Sequence, residues 1–329
     1  MTLPKTLVTR RLVEAPLARL RAGTDATVNL AERALTRAEL LAGVADVEGL
    51  LCMVNDRIDA ELLDAAPRLR VVSNHAVGYD NVDVAAATER GIWVTNTPDV
   101  LTEDTADLAF ALLLAVSRRV VEGDAFARSG EWGGWEPLQM LGSSVAGATL
   151  GLVGLGRIGR AVARRGAAFG MRVLYWNRTR LSALEEAELG VAYAPLGELL
   201  RASRFVSLHV AGAPETRHLI DAAALQLIGP DGFLINTARG PVVDERALVA
   251  ALQEGRIAGA GLDVYENEPQ LTQGLAECRN AVLTPHLGSS TVETRTAMGD
   301  LAVDNLLAVL AGRPPLHSVN PEVAERLRR

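Results

Sequence analysis

Short runs of β-branched and aliphatic residues recur along this chain, spaced so that a helix fits between each pair. In the first hundred residues, 6–9, 26–30, 49–54, 69–73 and 92–95 read as strands, and the stretches between them as helices. Parallel strands need crossover connections, so this alternation predicts a parallel sheet covered by helices on both faces. Residues 102–129 carry one long helical pattern, with Thr102 placed to cap it, Glu103 and Asp104 at its positive end and no proline inside. Residues 130–142 break that pattern with four glycines, one proline, Trp132 and Trp135, a composition that suits a subunit contact better than a plain linker. A second alternating series places six strands at 149–153, 172–176, 205–208, 232–236, 259–262 and 281–284. A last amphipathic helix over 291–310, stopped by Gly312 and the Pro314 and Pro315 pair, is expected to fold back on the first domain.

In open parallel sheets ligands bind beyond the carboxyl ends of the strands. The positions that follow the six later strands are Gly154, Asn177, His209, Thr237 to Arg239, Asp263 and His286, polar residues or glycine after apolar runs. Chemistry is therefore expected on this edge.

The length of 329 residues suits two domains, and 49% apolar with 22% charged residues is an ordinary globular composition. A net charge of −7 gives no electrostatic footprint for nucleic acid or an anionic membrane. The apolar run at 109–116 is far shorter than a membrane span, and residues 1–12 lack a signal-peptide core, so the expected location is the cytoplasm. Cys52 and Cys278, each among apolar neighbours, suit reduced packing thiols rather than a disulfide or a metal site.

The run LGLVGLGRIG at 150–159 places Gly154, Gly156 and Gly159 in a GxGxxG pattern between a strand and a helix. In that context the first glycine permits a tight turn, the second lets the backbone approach a pyrophosphate, and the third lets helix pack on strand; the helix N-terminus receives the phosphate charge. NAD binders usually carry an acid about 20 residues on, to bond the ribose 2′-hydroxyl. Here the next strand ends in Asn177, Arg178, Thr179 and Arg180, so a 2′-phosphate would meet two cations and no carboxylate. The reading favours NADP(H) over NAD(H).

Three ionisable residues follow later strands: Arg239 in NTARG, Glu268 in ENEP and His286 in TPHLGS. Histidine exchanges protons near neutral pH, and a carboxylate on its other ring nitrogen fixes the tautomer. An arginine fork matches a substrate carboxylate and the carbonyl oxygen beside it, which it polarises for hydride attack. With this set no metal is required.

These motifs, with LHVAGAPETRHLI, INTARGPVVDERAL, GAGLDVYENEP and LTPHLGSST in the second half and SNHAVGYDNVD and VTNTPDVLTEDTADLAF in the first, resemble the D-2-hydroxyacid dehydrogenase family over nearly the whole chain. The glyoxylate and hydroxypyruvate reductase branch is the most similar. The resemblance implies two doubly wound α/β domains, with a Rossmann cofactor domain (100–286) inserted into a flavodoxin-like substrate domain (1–99 with 287–329) around a cleft. It implies that Arg239 binds substrate, that His286 is the acid/base and Glu268 its partner, and that the N–H groups of Val77 and Gly78 hold the substrate carboxylate. It further implies Arg157 and Ile158 at the pyrophosphate, with Thr105, His209, Thr216, Thr237, Ala238, Asp263 and Gly288 along the cofactor groove.

Pocket size would depend on Leu51, Met53, His75 and Trp135. Family members are usually homodimers, with Trp135 reaching a neighbour's substrate pocket. Relatives tend to have VPLTP where this chain has VAGAP at 210–214, a departure that bears on cofactor affinity. The expected reaction is reduction of a small 2-oxo acid, glyoxylate or hydroxypyruvate, to glycolate or D-glycerate. The alternatives are an NAD-dependent dehydrogenase of another D-2-hydroxy acid and a cofactor-sensing, corepressor-like binding protein.

Overall fold

The computed structural model describes residues 2–326. The chain divides into two compact units, one of Met1–Leu101 with Ser289–Arg329 and one of Thr102–Gly288. Each crossing lies two residues beyond the limit expected from the sequence.

The first unit holds a five-stranded parallel sheet of β1 (Lys5–Val8), β2 (Asp25–Val28), β3 (Gly49–Cys52), β4 (Val71–Asn74) and β5 (Trp93–Thr95), in the order β2-β1-β3-β4-β5. This is the flavodoxin-like order. Every residue of β3, β4 and β5 is buried, as expected of parallel strands covered on both faces. One cover is the helix Val292–Leu310, whose N-cap Thr291 accepts from the Thr294 N–H. Met298, Ala302, Val303, Leu306 and Val309 are buried along it. At its far end Arg70 donates to the carbonyls of Val309 (2.8 Å), which also accepts the Gly312 N–H, and of Leu310 (3.1 Å).

The second unit holds a seven-stranded parallel sheet of β6 (Thr149–Val153), β7 (Arg172–Trp176), β8 (Val191–Tyr193), β9 (Phe205–Leu208), β10 (Phe233–Asn236), β11 (Gly259–Leu262) and β12 (Ala281–Leu283). The order β12-β11-β10-β9-β6-β7-β8 is the Rossmann arrangement with one strand added beyond the sixth. Strand order reverses between β6 and β9, which places the expected ligand crevice at the carboxyl ends of these two strands.

Two expectations are corrected. The second sheet has seven strands, because Val191–Tyr193 adds a three-residue edge strand whose alternation is too brief to register as a period. The pattern over 102–129 is two helices, Thr102–Ser117 and Val120–Ser129. Arg119 takes a left-handed conformation (φ 54°) between them, and Ser143 donates its N–H to the Ser117 carbonyl at 2.8 Å where a continuous helix would have used it. Apolar periodicity runs through the break, yet no residue of the second helix is buried. Among the described residues, no helix is long and apolar enough to cross a membrane, and no group of three or more His, Cys, Asp or Glu is placed to hold a metal.

Candidate active site

The glycines after β6 stand where a dinucleotide turn requires them. Gly154 has φ +101°, and a Cβ there would lie 2.7 Å from the His209 carbonyl. A Cβ at Gly159 would lie 2.3 Å from the Gly154 carbonyl oxygen, so only glycine lets this helix pack on its strand. A Cβ at Gly156 would meet nothing within 4 Å, leaving an open approach to the helix Arg157–Ala168, which no side chain caps. Arg157 is exposed, and Ile158 packs against the core of the unit.

At the end of β7 the polar residues divide by role. Asn177 Oδ1 accepts the Leu155 N–H at 2.7 Å, so this side chain ties the glycine-rich turn to the neighbouring strand. Arg180 forks onto Glu186 at 2.7 and 2.8 Å and lies over the Tyr193 ring, 5.3 Å from its centre. Arg178 and Thr179 are exposed and make no side-chain hydrogen bond or ion pair among the described residues.

Along the rest of the edge, burial pushes His209 down to about 3 and keeps it neutral, with Nε2 2.9 Å from Ser207 Oγ. Thr216 Oγ1 bonds to the carbonyls of Ala211 (2.8 Å) and Ala213 (3.0 Å), closing the VAGAP loop on itself. Thr237 Oγ1 is buried without a hydrogen-bond partner among the described residues. Ala238 donates its N–H to Asn236 Oδ1 at 3.0 Å while Asn236 Nδ2 donates to the Arg239 carbonyl at 2.9 Å. Asn236 thus shapes the turn that presents Arg239. Reasoning from sequence misses this residue, although an asparagine closing an apolar strand is its visible signal.

Asp263 is 1% exposed and fully engaged, accepting from Thr284 Oγ1 (2.6 Å), the Leu287 N–H (2.7 Å) and the Gly288 N–H (2.9 Å). Burial raises its pKa, and these bonds only partly oppose the rise. Thr105 donates to the Gly288 carbonyl at 3.0 Å. Asp263 and Thr105 together clamp the loop that carries His286, which itself sits at φ 56°, a costly conformation for a residue with a Cβ.

His286 Nδ1 lies 2.9 Å from Glu268 Oε2, and Glu268 Oε1 accepts the Tyr265 N–H at 3.0 Å. Burial pushes the Glu268 carboxyl up, but the hydrogen bond and charge of His286, with Arg239 adding its charge, hold it below the usual carboxylate value. Tyr265 Oη donates to the Thr284 carbonyl at 2.9 Å, joining the Glu268 segment to the strand end before His286. With Nδ1 held by a carboxylate, Nε2 is the ring nitrogen left to exchange a proton.

Within the first unit, the loop after β4 has its carbonyls tied down. Asn96 Nδ2 donates to Val77 O and Asn74 Nδ2 to Gly78 O, both at 2.8 Å, and the backbone N–H groups of Val77 and Gly78 donate to no backbone carbonyl outside the regular elements. Two successive N–H groups without a backbone partner among the described residues suit an anion. Leu51 departs from its expected place in a pocket wall: it is fully buried in β3, within the core formed by Val8, Leu17, Trp93 and Val303. A strand residue covered on both sides has no face left for substrate. Trp135 is 82% exposed.

The open position at Gly156 and the unpartnered Thr237 hydroxyl fit a bound dinucleotide. Residues 110–288 match the model of the D-isomer specific 2-hydroxyacid dehydrogenase NAD binding domain. The chain belongs to that family. A glyoxylate reductase of Thermococcus litoralis is 49% identical, over 97% of this chain and 98% of its own length. A solved structure from Thermus thermophilus is 49% identical with a TM-score of 0.89, covering 96% of this chain and 99% of that one. The NADPH-dependent glyoxylate/hydroxypyruvate reductase of Sinorhizobium meliloti, solved with NADP and malonate, is 42% identical with a TM-score of 0.86, covering 97% of each chain. This 2-hydroxyacid dehydrogenase is therefore an oxidoreductase that uses a nicotinamide cofactor.

Proposed function

We propose that this chain reduces glyoxylate or hydroxypyruvate to the corresponding 2-hydroxy acid, with NADPH favoured over NADH. The observation that carries the reading is the His286 to Glu268 pair at 2.9 Å, beside Arg239 on the edge where the glycine-rich turn lies. A reduced nicotinamide, when bound, would supply the hydride that the substrate C2 accepts. Arg239 pulls electron density onto the carbonyl oxygen, and protonated His286 gives its Nε2 proton to that oxygen as the C=O double bond becomes a single bond. Glu268 holds the imidazole in register and fixes its tautomer. The N–H groups of Val77 and Gly78 are assigned to the substrate carboxylate.

Support for NADPH is the absence of an acid at Asn177 together with the uncommitted, exposed Arg178; Arg180 is already engaged by Glu186. Arg157, Ile158, Thr216, Thr237 and Ala238 are assigned to the cofactor groove. The chain is further proposed to act as a homodimer. The helix Val120–Ser129 and the loop after it expose Val120, Val121, Trp132, Trp135, Leu138 and Leu141, all at 54% or more, a concentration of apolar surface that a monomer rarely leaves open. The two buried, unpaired thiols Cys52 and Cys278 suit the reducing cytoplasm.

The test is the rate of NADPH and NADH oxidation at matched concentrations with glyoxylate, hydroxypyruvate, pyruvate and 2-oxoglutarate, followed at the nicotinamide absorbance band. Fast turnover of either of the first two with NADPH supports the whole reading. The same substrates with NADH preferred overturn the cofactor assignment alone, and tight cofactor binding without turnover favours a sensing protein.

A further inference from the structure

A buried carboxylate is bonded to the segment that carries Glu268. Glu245 opens the helix Glu245–Gln253, after an N-cap, Asp244, whose side chain already accepts from the Ala247 N–H. An acid in a first helical turn can serve the dipole from the solvent side. Glu245 instead is 2% exposed. Carboxylates are kept inside only where their oxygens are bonded, and both of these reach the same segment. Oε1 accepts the Glu266 N–H at 2.7 Å and Oε2 accepts the Thr272 hydroxyl at 2.6 Å. Glu268 lies between those two anchors.

Between β11 and β12 the chain forms no helix and no strand, so side chains decide where this segment sits. Tyr265 ties it to the Thr284 carbonyl, and the Glu266 side chain accepts from Arg217 Nη2 at 2.7 Å and meets His218 Nε2 at the same distance. Gly240, next to Arg239, packs so closely that an added Cβ would fall 1.8 Å from the Tyr265 carbonyl carbon. Displacing this segment would therefore disturb Glu268 first and the turn carrying Arg239 next.

We propose that Glu245 is a positioning residue for the reaction: its two hydrogen bonds fix the segment from Glu266 to Thr272 so that Glu268 meets His286 Nδ1. This rests on the reading of Glu268 and His286 as the acid/base pair. The charges that face the pair are Asp263, at the end of β11, and Arg239, after β10; Arg217 and His218 meet the segment at Glu266. None of these is altered by a substitution at Glu245.

The experiment measures the pH profile of reductive kcat/KM and the melting temperature for wild type, Glu245→Ala, Glu245→Gln, Glu268→Gln, Thr272→Val and the Glu245→Ala/Glu268→Gln double variant. Glu245→Ala is expected to lose roughly tenfold or more in kcat, with the KM for NADPH changed less than about twofold. Its alkaline limb moves to lower pH, in the same direction as that of Glu268→Gln. Glu245→Gln keeps an acceptor for Glu266 and restores the profile, and the double variant shifts no further than Glu268→Gln alone, since both act through one contact.

Thr272→Val removes one bond without opening the core, so it shows the same signature at smaller size and decides the matter if Glu245→Ala does not fold. A lowered melting temperature with a wild-type limb in Glu245→Ala or Thr272→Val, or shifts that add in the double variant, overturns the proposal alone. An unmoved profile in Glu268→Gln overturns the acid/base reading and this inference with it.

Discussion

Replacing His75 with leucine should flatten the acid dependence of stability. His75 follows β4 and is 6% exposed, and among the described residues neither ring nitrogen has a hydrogen-bond partner of full geometry, the Arg295 and His75 backbones favouring its charged form only weakly. Burial, and after it the Arg295 charge, push its pKa down to about 4. In the unfolded chain the same imidazole takes a proton near its ordinary value of about 6.5. Between those values the unfolded state binds a proton that the folded state refuses, so stability falls as pH falls, by about 1.4 kcal/mol per pH unit. Over this window the loss from His75 is roughly 3 kcal/mol, and burial leaves little solvent to screen it.

Leucine at this position neither titrates nor leaves a polar atom unpaired. The variant should match or exceed wild type by about 1–2 kcal/mol near neutrality, and gain a further 2–3 kcal/mol, roughly, by pH 4.5. Urea unfolding across this range, followed by the fluorescence of Trp93, which is buried in the same unit, gives both curves. Parallel curves for the two proteins would refute the reasoning, because they require His75 to take up its proton while folded. The outcome bears on function as well, since a neutral His75 brings no charge to the loop of Val77 and Gly78.

His286→Ala should lower kcat by about 10²–10⁴-fold while the protein still binds cofactor, measured by steady-state reduction of the preferred 2-oxo acid. Arg178→Ala should cut selectivity for NADPH over NADH by roughly tenfold or more, the worth of one charge-assisted hydrogen bond to a phosphate. Arg180→Ala, whose guanidinium is held by Glu186, should leave the ratio of the two kcat/KM values within about twofold. Gly159→Ala should cost about 1–3 kcal/mol in stability and weaken cofactor binding, because its Cβ would stand 2.3 Å from the Gly154 carbonyl oxygen; thermal melting and cofactor titration read the two effects separately.

What can be read from the sequence follows from how strongly each element is patterned. β6, β7, β9 and β11 begin and end where expected, because strands covered on both faces are mostly apolar inside, with Ser207 of β9 a buried polar exception. β8 is invisible for the opposite reason: one buried residue, one exposed and one half-buried make no pattern. The pattern over 102–129 reads as continuous because the break at Arg119 needs neither glycine nor proline. Its cause lies far along the chain, at Ser143, in a hydrogen bond that no local window contains.

The site divides along the same line. The glycine-rich turn and the His286 to Glu268 pair are written in residue types that serve few other purposes together, and the fold brings each of them into place. Arginines carry no such restriction. Arg178 and Arg180 look equivalent beside a 2′-phosphate until Glu186, six residues beyond Arg180, is seen to occupy one of them. Leu51 looks like a pocket wall because it lies near the carboxyl end of a strand, and only the packing of the helix Val292–Leu310 against β3 takes that face away. Glu245 escapes notice since an acid opening a helix is ordinary; its burial, and the segment its two oxygens hold, exist only after the chain has folded. The residues assigned to the chemistry are therefore legible from their types, and those proposed to hold them in place are defined by partners distant in sequence.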